Sequence, residues 1–249
     1  MAPEGRGIDR FRLGGTDVLL RRSTFDQAIA HSVFTENEYD LPAMFSPDAT
    51  IIDIGAHVGI FCLAAVQRGA AHVVAVEPDR DNHALASINL APWLKSGQVD
   101  LRRGAVWRSD VTGPALSLSP ADDTPDGLNT GSKSVIASPD GTGHLPAFPL
   151  DGLIRDVTTR SGKPVSLLKL DCEGSEWPIL ATSRLLHKVE RIAGEFHFFG
   201  HQLPEVADLP PFTLPGLTGL LQHAGFNVHT RHVIENGRQG LFFASRLPG

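Results

Sequence analysis

Two cysteines, Cys62 and Cys172, are all that the 249 residues contain, which excludes a disulfide frame and cysteine-pair metal ligation. No apolar run approaches the ~20 residues that span a bilayer, so no membrane partner is expected. The amino terminus lacks the basic flank and apolar core of a secretory signal, and the cytoplasm is the default expectation. There is no basic surplus either: 22 Lys and Arg stand against 28 Asp and Glu, a net charge of -6. Phosphate backbones are ordinarily met by basic surfaces, so nucleic acid is not the expected substrate, and Arg102-Arg103 reads as solvated surface. With 41% hydrophobic residues, the chain is expected to be globular, as one large α/β domain with or without a small appendage.

A missing glycine is more telling. The apolar run Ile51-Ile52-Asp53-Ile54 enters Gly55-Ala56-His57-Val58-Gly59, and a second run, Val73-Val74-Ala75-Val76, ends in Glu77-Pro78. Strand, glycine turn, helix, strand and acid in that order describe a nucleotide-type cofactor site in a parallel sheet. A dinucleotide fingerprint places its second glycine two residues after the first, so that backbone can approach a pyrophosphate. Here His57 stands there. S-adenosylmethionine has no phosphate, and it becomes the preferred cofactor over NAD or FAD. Glu77 is placed to accept hydrogen bonds from ribose hydroxyls, and Asp53 to hold the methionine ammonium directly or through water. A strand-turn-helix with no ligand is the plain alternative.

Residues 50–112 alternate strand and helix: Thr50–Ile54, Ile60–Arg68, Val73–Val76, Asp79–Leu90 and Val99–Val106. That period implies a doubly wound, mostly parallel sheet, the Rossmann-like class. Before it, residues 1–15 read as a lead-in with a short edge strand near Phe11–Leu13, and Thr24–Phe34 has helical spacing, so residues 1–45 form a helical cap on a domain spanning 46–249. Gly113 to Pro149 is rich in Ser, Thr, Pro, Gly and Asp, and its length marks an inserted, lid-like segment. Asp151 reads as a helix cap, followed by strand Val165–Leu170, a helix over about Glu176–Leu186 with Pro178 in its first turn, and strand Val189–Phe196. A helix at Leu214–His223 precedes the strands Phe226–Val233 and Gly240–Ser245, joined through Asn236-Gly237 as an antiparallel β-hairpin. Ordinary dinucleotide folds lack that ending.

Leu168-Lys169-Leu170-Asp171-Cys172-Glu173-Gly174-Ser175-Glu176 sets three carboxylates at the carboxyl end of a central strand, where open α/β sheets bind ligands. Taken with the glycine turn, Glu77-Pro78, Pro149-Leu150-Asp151 and Gly194-Glu195-Phe196-His197, this segment closely resembles the FkbM family of S-adenosylmethionine-dependent methyltransferases. The resemblance covers roughly residues 20–200. It implies a class I methyltransferase fold and, typically, O-methylation of a small-molecule hydroxyl in natural-product or sugar tailoring. It also implies that Asp53, Gly55, Ala56, His57 and Gly59 line the methionine end of the cofactor, that Glu77 and Pro78 bind its ribose, and that Asp171 belongs to the same site. The adenine pocket is expected near Gly104-Ala105-Val106, with Ala105 in contact. Asn129-Thr130-Gly131-Ser132 resembles a polar-glycine patch of the family.

His197, Glu173 and Glu195 are the candidate catalytic residues. An imidazole titrating near pH ~6.5 is suited to take a hydroxyl proton, and Glu195 shares its strand face. Each has a structural alternative: His197 bonded to Glu195 or backbone, Glu173 as a helix-entry acid, Lys169 neutralising Asp171. Asp171, Glu195 and His197 also have the donor types for a divalent ion, but neither they nor the His197/His201 pair has diagnostic spacing, and no metal ligand is assigned. N-methylation, a non-catalytic S-adenosylmethionine-binding protein and a nucleotide-dependent oxidoreductase are the competing functions.

Overall fold

The computed structural model describes residues 7–119, 129–137, 143–198, 206, 208–234 and 237–246. The chain begins with the strands β1 (Ile8–Leu13) and β2 (Thr16–Arg21) and the helix α1 (Asp26–Phe34). The alternating region follows as β3 (Thr50–Ile54), α2 (Ile60–Gln67), β4 (His72–Glu77), α3 (Arg80–Asn89), α4 (Ala91–Ser96) and β5 (Val99–Arg103). Next come the short strands β6 (Ala105–Trp107), β7 (Leu116–Leu118), β8 (Val135–Ala137) and β9 (Ala147–Pro149), then α5 (Leu150–Ser161), β10 (Leu167–Leu170) and α6 (Glu176–Thr182). The chain closes with β11 (Arg191–His197), α7 (Leu214–His223), β12 (Phe226–Ile234) and β13 (Gln239–Arg246).

Seven strands form the central sheet in the order β12-β13-β11-β10-β3-β4-β5. The five from β11 to β5 run parallel, and β13 runs antiparallel to both β11 and β12. The closing hairpin expected from the sequence is therefore present; its turn residues 235–236 lie outside the described residues.

Period-2 alternation divides the core into two layers. Ile51, Val73, Ala75, Leu167 and Phe243 pack against α1, α2 and α3, whereas Ile52, Ile54, Val74, Val76, Leu168 and Phe242 pack against α5, α6 and α7. α2 is buried from Ile60 to Val66, which is why its sequence is apolar all round rather than amphipathic. The chain builds outward from β3 through β4 to β5 and then returns to β10 on the other side of β3. That reversal leaves a crevice at the carboxyl ends of β3 and β10.

Four local expectations change. The lead-in is a complete hairpin, with β1 and β2 in register from Ile8↔Arg21 to Leu13↔Thr16. The expected strand Val99–Val106 breaks at Gly104, where an added Cβ would lie 2.5 Å from the Pro146 carbonyl oxygen; β6 then leaves the main sheet to pair with β9. Asp151 caps no helix of its own, since Pro149 holds that place and Asp151 sits in the first turn of α5. Its carboxylate instead accepts from the Ser183 hydroxyl and the Arg184 and Leu185 amides, fixing an extended exit after Thr182 and ending α6 early. The insertion is not wholly loop: β7 pairs with β8, and Leu116 and Val135 join Trp107 in a small core of their own. Among the described residues, no helix is long and apolar enough to cross a membrane.

Candidate active site

At the crevice the structure opens a cavity of about 300 Å³, at the lower end of the ~300–1,000 Å³ usual for small-ligand sites. One half is built on the glycine turn. β3 ends at Ile54, and Gly55 turns at φ 81 with an added Cβ that would meet the Asp171 carbonyl oxygen at 1.8 Å, so only glycine lets the two strand ends close up. His57 takes the left-handed region at φ 50, a strained conformation for a residue with a side chain. The Glu77 carboxylate at the end of β4 accepts from the His57 amide at 2.7 Å and the Asp79 amide at 2.9 Å. Burial pushes Glu77 up to about 7 against those two hydrogen bonds. Asp79 caps α3, accepting from the Asp81 and Asn82 amides, and pairs with Lys133 of the insertion.

Gly55, His57, Glu77, Pro78, Ala105 and Asp171 all line this cavity. Asp53 does not. Its side chain is fully buried behind the turn, 3.2 Å from the Lys169 ammonium and accepting from the Cys62 thiol at 3.1 Å. Lys169 also donates to the Gly55 carbonyl at 2.6 Å. The expected ammonium ligand is thus part of a buried prop beneath the turn, and Asp171, 3.9 Å from the same ammonium, is the carboxylate that reaches the cavity. Gly59 is corrected as well: it starts α2 at φ 87 against Leu90, away from the cavity, while Ala56 borders only a small side pocket of about 30 Å³.

A polar network covers the turn from above. Arg21 donates from two nitrogens to Asp26, and also to Asn82 at 2.7 Å. Thr130 donates to Asp26 at 2.8 Å and stands 2.8 Å from His57 Nε2, while Asn82 donates to the Thr130 carbonyl. Burial lowers His57 to about 4, leaving the ring neutral. Its Nδ1 is buried with no hydrogen-bond partner among the described residues. The lone pairs remaining on Glu77 and this orphaned nitrogen suit a ribose and an aminoacyl group, so the residues present fit S-adenosylmethionine.

The other half is charged. Glu173, three residues before the start of α6, holds φ 52, a second side-chain-bearing residue of this cavity in the left-handed region. Glu195 and His197 share one face at the end of β11, with His197 Nε2 at 3.8 Å from Glu195 and 3.7 Å from Glu173. His197 Nδ1 lies 3.3 Å from Glu176, which is fully buried and accepts from the Cys172 and Gly174 amides. Burial opposes a charge on His197, yet Glu176, Glu173 and Glu195 together hold it protonated up to about 10. Burial and the nearby carboxylates raise Glu173 to about 8, Glu38 to about 7, and Glu195 above its ordinary range. Carboxylates outnumber cations here, so the cluster keeps protons.

The three candidate catalytic residues are therefore brought together, but the expected neutral imidazole is not what their surroundings favour. Sequence reasoning missed Glu38, Tyr39 and Gln239 in the lining, and Arg21 and Asp26 in the cover. Tyr39 donates to Asp171 at 2.9 Å across 132 residues of chain, and Gln239 donates to Glu195 at 2.7 Å. No local pattern marks such partners. His201 lies outside the described residues.

The model of the methyltransferase FkbM domain matches residues 53–228. Among solved structures, the chain is similar to the methyltransferase FkbM from Methylobacillus flagellatus, with 16% identity, a TM-score of 0.49, and 86% of this chain against 47% of that one. It is also similar to a SAM-dependent methyltransferase from Agrobacterium tumefaciens, with 12% identity, a TM-score of 0.46, and 96% of this chain against 70% of that one. The chain thus spans about half the length of the Methylobacillus protein. No curated protein matches it. The family model covers both the glycine turn and the Lys169–Glu176 segment, and on that match the chain belongs to the FkbM family of S-adenosylmethionine-dependent methyltransferases.

Proposed function

We propose that this chain methylates the hydroxyl of a small molecule, as a tailoring O-methyltransferase of natural products or sugars. The carrying observation is that a donor half, with Glu77 and the glycine turn, and a half carrying Glu173, Glu195 and His197 open into one cavity. In this reading Glu77 and Pro78 hold the ribose, His57 holds the aminoacyl end, Asp171 stands where that end meets the acceptor half, and Gly104, Ala105 and Val106 border the adenine. S-adenosylmethionine supplies an electrophilic methyl group. The acceptor oxygen forms its bond to that carbon as the carbon–sulfur bond breaks, and the hydroxyl proton passes to Glu195, whose carboxylate Gln239 orients. His197 stabilises the anionic cluster rather than acting as the base.

The described parts of residues 1–45 and of the 113–149 insertion serve as a cover that excludes water. Phe25, Ala28 and Ile29 of the amino-terminal segment and Leu118, Asn129 and Thr130 of the insertion line the cavity, which supports that role. The acidic lining favours one second reading, N-methylation of an amine attracted as its cation. Incubation with isotopically labelled S-adenosylmethionine and a panel of hydroxyl and amine acceptors, read by mass spectrometry, separates them. Methyl ethers support the first and methylamines the second; tight cofactor binding without any product would make the chain a non-catalytic binder.

A further inference from the structure

We infer that Asp171, Glu173 and His197 form a divalent-cation site at the acceptor end of the cavity, suited to a first-row ion such as Mn²⁺. The inference rests on the reading of this cavity as a methyl-transfer site, and it adds a ligand that the reading does not require. One donor atom from each residue lies within 4.8 Å of the others. Ligands of an ion bound at ~2.1–2.4 Å stand roughly 3–4.5 Å apart, so small side-chain rotations close the set. The donor types, two carboxylates and one imidazole, match an ion that takes oxygen and nitrogen together.

The support behind the imidazole is independent of the acids around it. Glu176 is fully buried, and its oxygens accept from the Cys172 and Gly174 amides while facing His197 Nδ1 at 3.3 Å. A carboxylate behind one ring nitrogen that aims the other at a cavity is the arrangement found behind metal-bound histidines. Here Nε2 is the nitrogen that faces Glu173 and Glu195, and an ion bound there would displace the proton that the surrounding glutamates hold on the ring. Tyr39 likewise fixes Asp171 by donating to one of its oxygens at 2.9 Å. The ligands sit on three supports, the end of β10, the strained residue before α6, and the end of β11, and all three border the cavity. A cation there would bind the acceptor oxygen and favour loss of its proton, leaving Glu195 to receive it.

The test uses the full chain, dialysed against EDTA and without cofactor, titrated with Mn²⁺ while electron paramagnetic resonance follows the free ion. One Mn²⁺ per chain is expected, with about tenfold or more weaker binding in Glu173→Gln and in Asp171→Asn. Calorimetric binding of S-adenosylhomocysteine by Glu173→Gln checks that the donor half persists, and the urea-unfolding midpoint of both variants checks the fold. Mn²⁺ that stays free, or binding unchanged in both folded variants, overturns the site. If the wild-type chain binds no Mn²⁺ yet transfers methyl in EDTA, the cation site fails and the methyl-transfer reading stands. If Mn²⁺ binds as expected but no acceptor in the panel is methylated, the site stands and that reading fails.

Discussion

The two halves of the cavity are built by different means. In the donor half, hydrogen bonds that set the geometry come largely from backbone: the Gly55 amide donates to the Val76 carbonyl, and the His57 and Asp79 amides donate to one carboxylate, Glu77. In the acceptor half, side-chain charges set it, with Glu173, Glu176 and Glu195 around His197 and Tyr39 on Asp171. A backbone cradle binds one shape and tolerates little change. A charge cluster leaves the shape of the ligand open and responds to whatever cation enters.

That difference makes the two halves separable by mutation. The largest effect is expected for Glu195→Gln, which keeps size and its contact with Gln239 but cannot take a proton. Turnover should fall by about 10²- to 10⁴-fold while the S-adenosylmethionine dissociation constant stays within a factor of about two. Parallel losses in turnover and cofactor affinity would mean that the halves are not independent and that Glu195 supports the donor site.

A stability effect comes next. Arg21→Met strips the double ion pair from Asp26, whose side chain is fully buried, and should destabilise the chain by about 3 kcal/mol in urea unfolding. The network also fixes Thr130 over His57, so cofactor affinity should fall as well. Asp26→Asn in the same background should restore part of the stability by removing the unpaired charge. If the single substitution is silent in both measurements, the cover does not depend on this network.

Glu77→Gln probes the donor half alone. The amide keeps one acceptor oxygen and loses the charge, so calorimetry should find S-adenosylmethionine bound more weakly by about 1.5–3 kcal/mol, roughly ten- to a hundredfold. Alanine is the poorer probe, because Glu77 also holds the His57 amide and its removal would loosen the turn itself. An unchanged constant would remove Glu77 from the ribose site.

The same contrast explains what the sequence made legible. The turn and ribose part of the donor half lies within residues 53–79, so apolar periodicity, two glycines and an acid at a strand end were enough to place Gly55, His57 and Glu77. Asp53 was misplaced because alternation gives a side chain's face but not its depth, and Lys169, 116 residues away, draws it beneath the turn. The acceptor half joins Glu38, Asp171, Glu195 and Gln239 from both ends of the chain. Its acids on β10 and β11 could be read as strand-end residues, but their partners could not, since only the strand order brings β13 beside β11 and places Gln239 opposite His197. The strand break at Gly104 was hidden for a related reason: it depends on the close approach of Pro146.

The smallest expected effect sharpens the contrast through pH. Burial first, and then Asp171 and Glu195, push Glu38 up to about 7, against a lowering by Lys169. Between the ordinary carboxyl value of 4.5 and about 7, the folded chain therefore binds more protons at this position than the unfolded chain does. Linkage then requires the Glu38 contribution to stability to decline as pH rises through that window, with the whole penalty present above it and none below. Glu38→Gln removes the titration. Allowing for solvent screening of a partly exposed group, the variant should gain about 1–2 kcal/mol on the wild type between pH 5 and pH 8 in urea unfolding without ligand. A divalent ion in the neighbouring cluster would offset the like charges that raise Glu38, so adding Mn²⁺ at pH 8 should shrink the gain. A difference independent of both pH and Mn²⁺ would show that Glu38 is not part of the charged half.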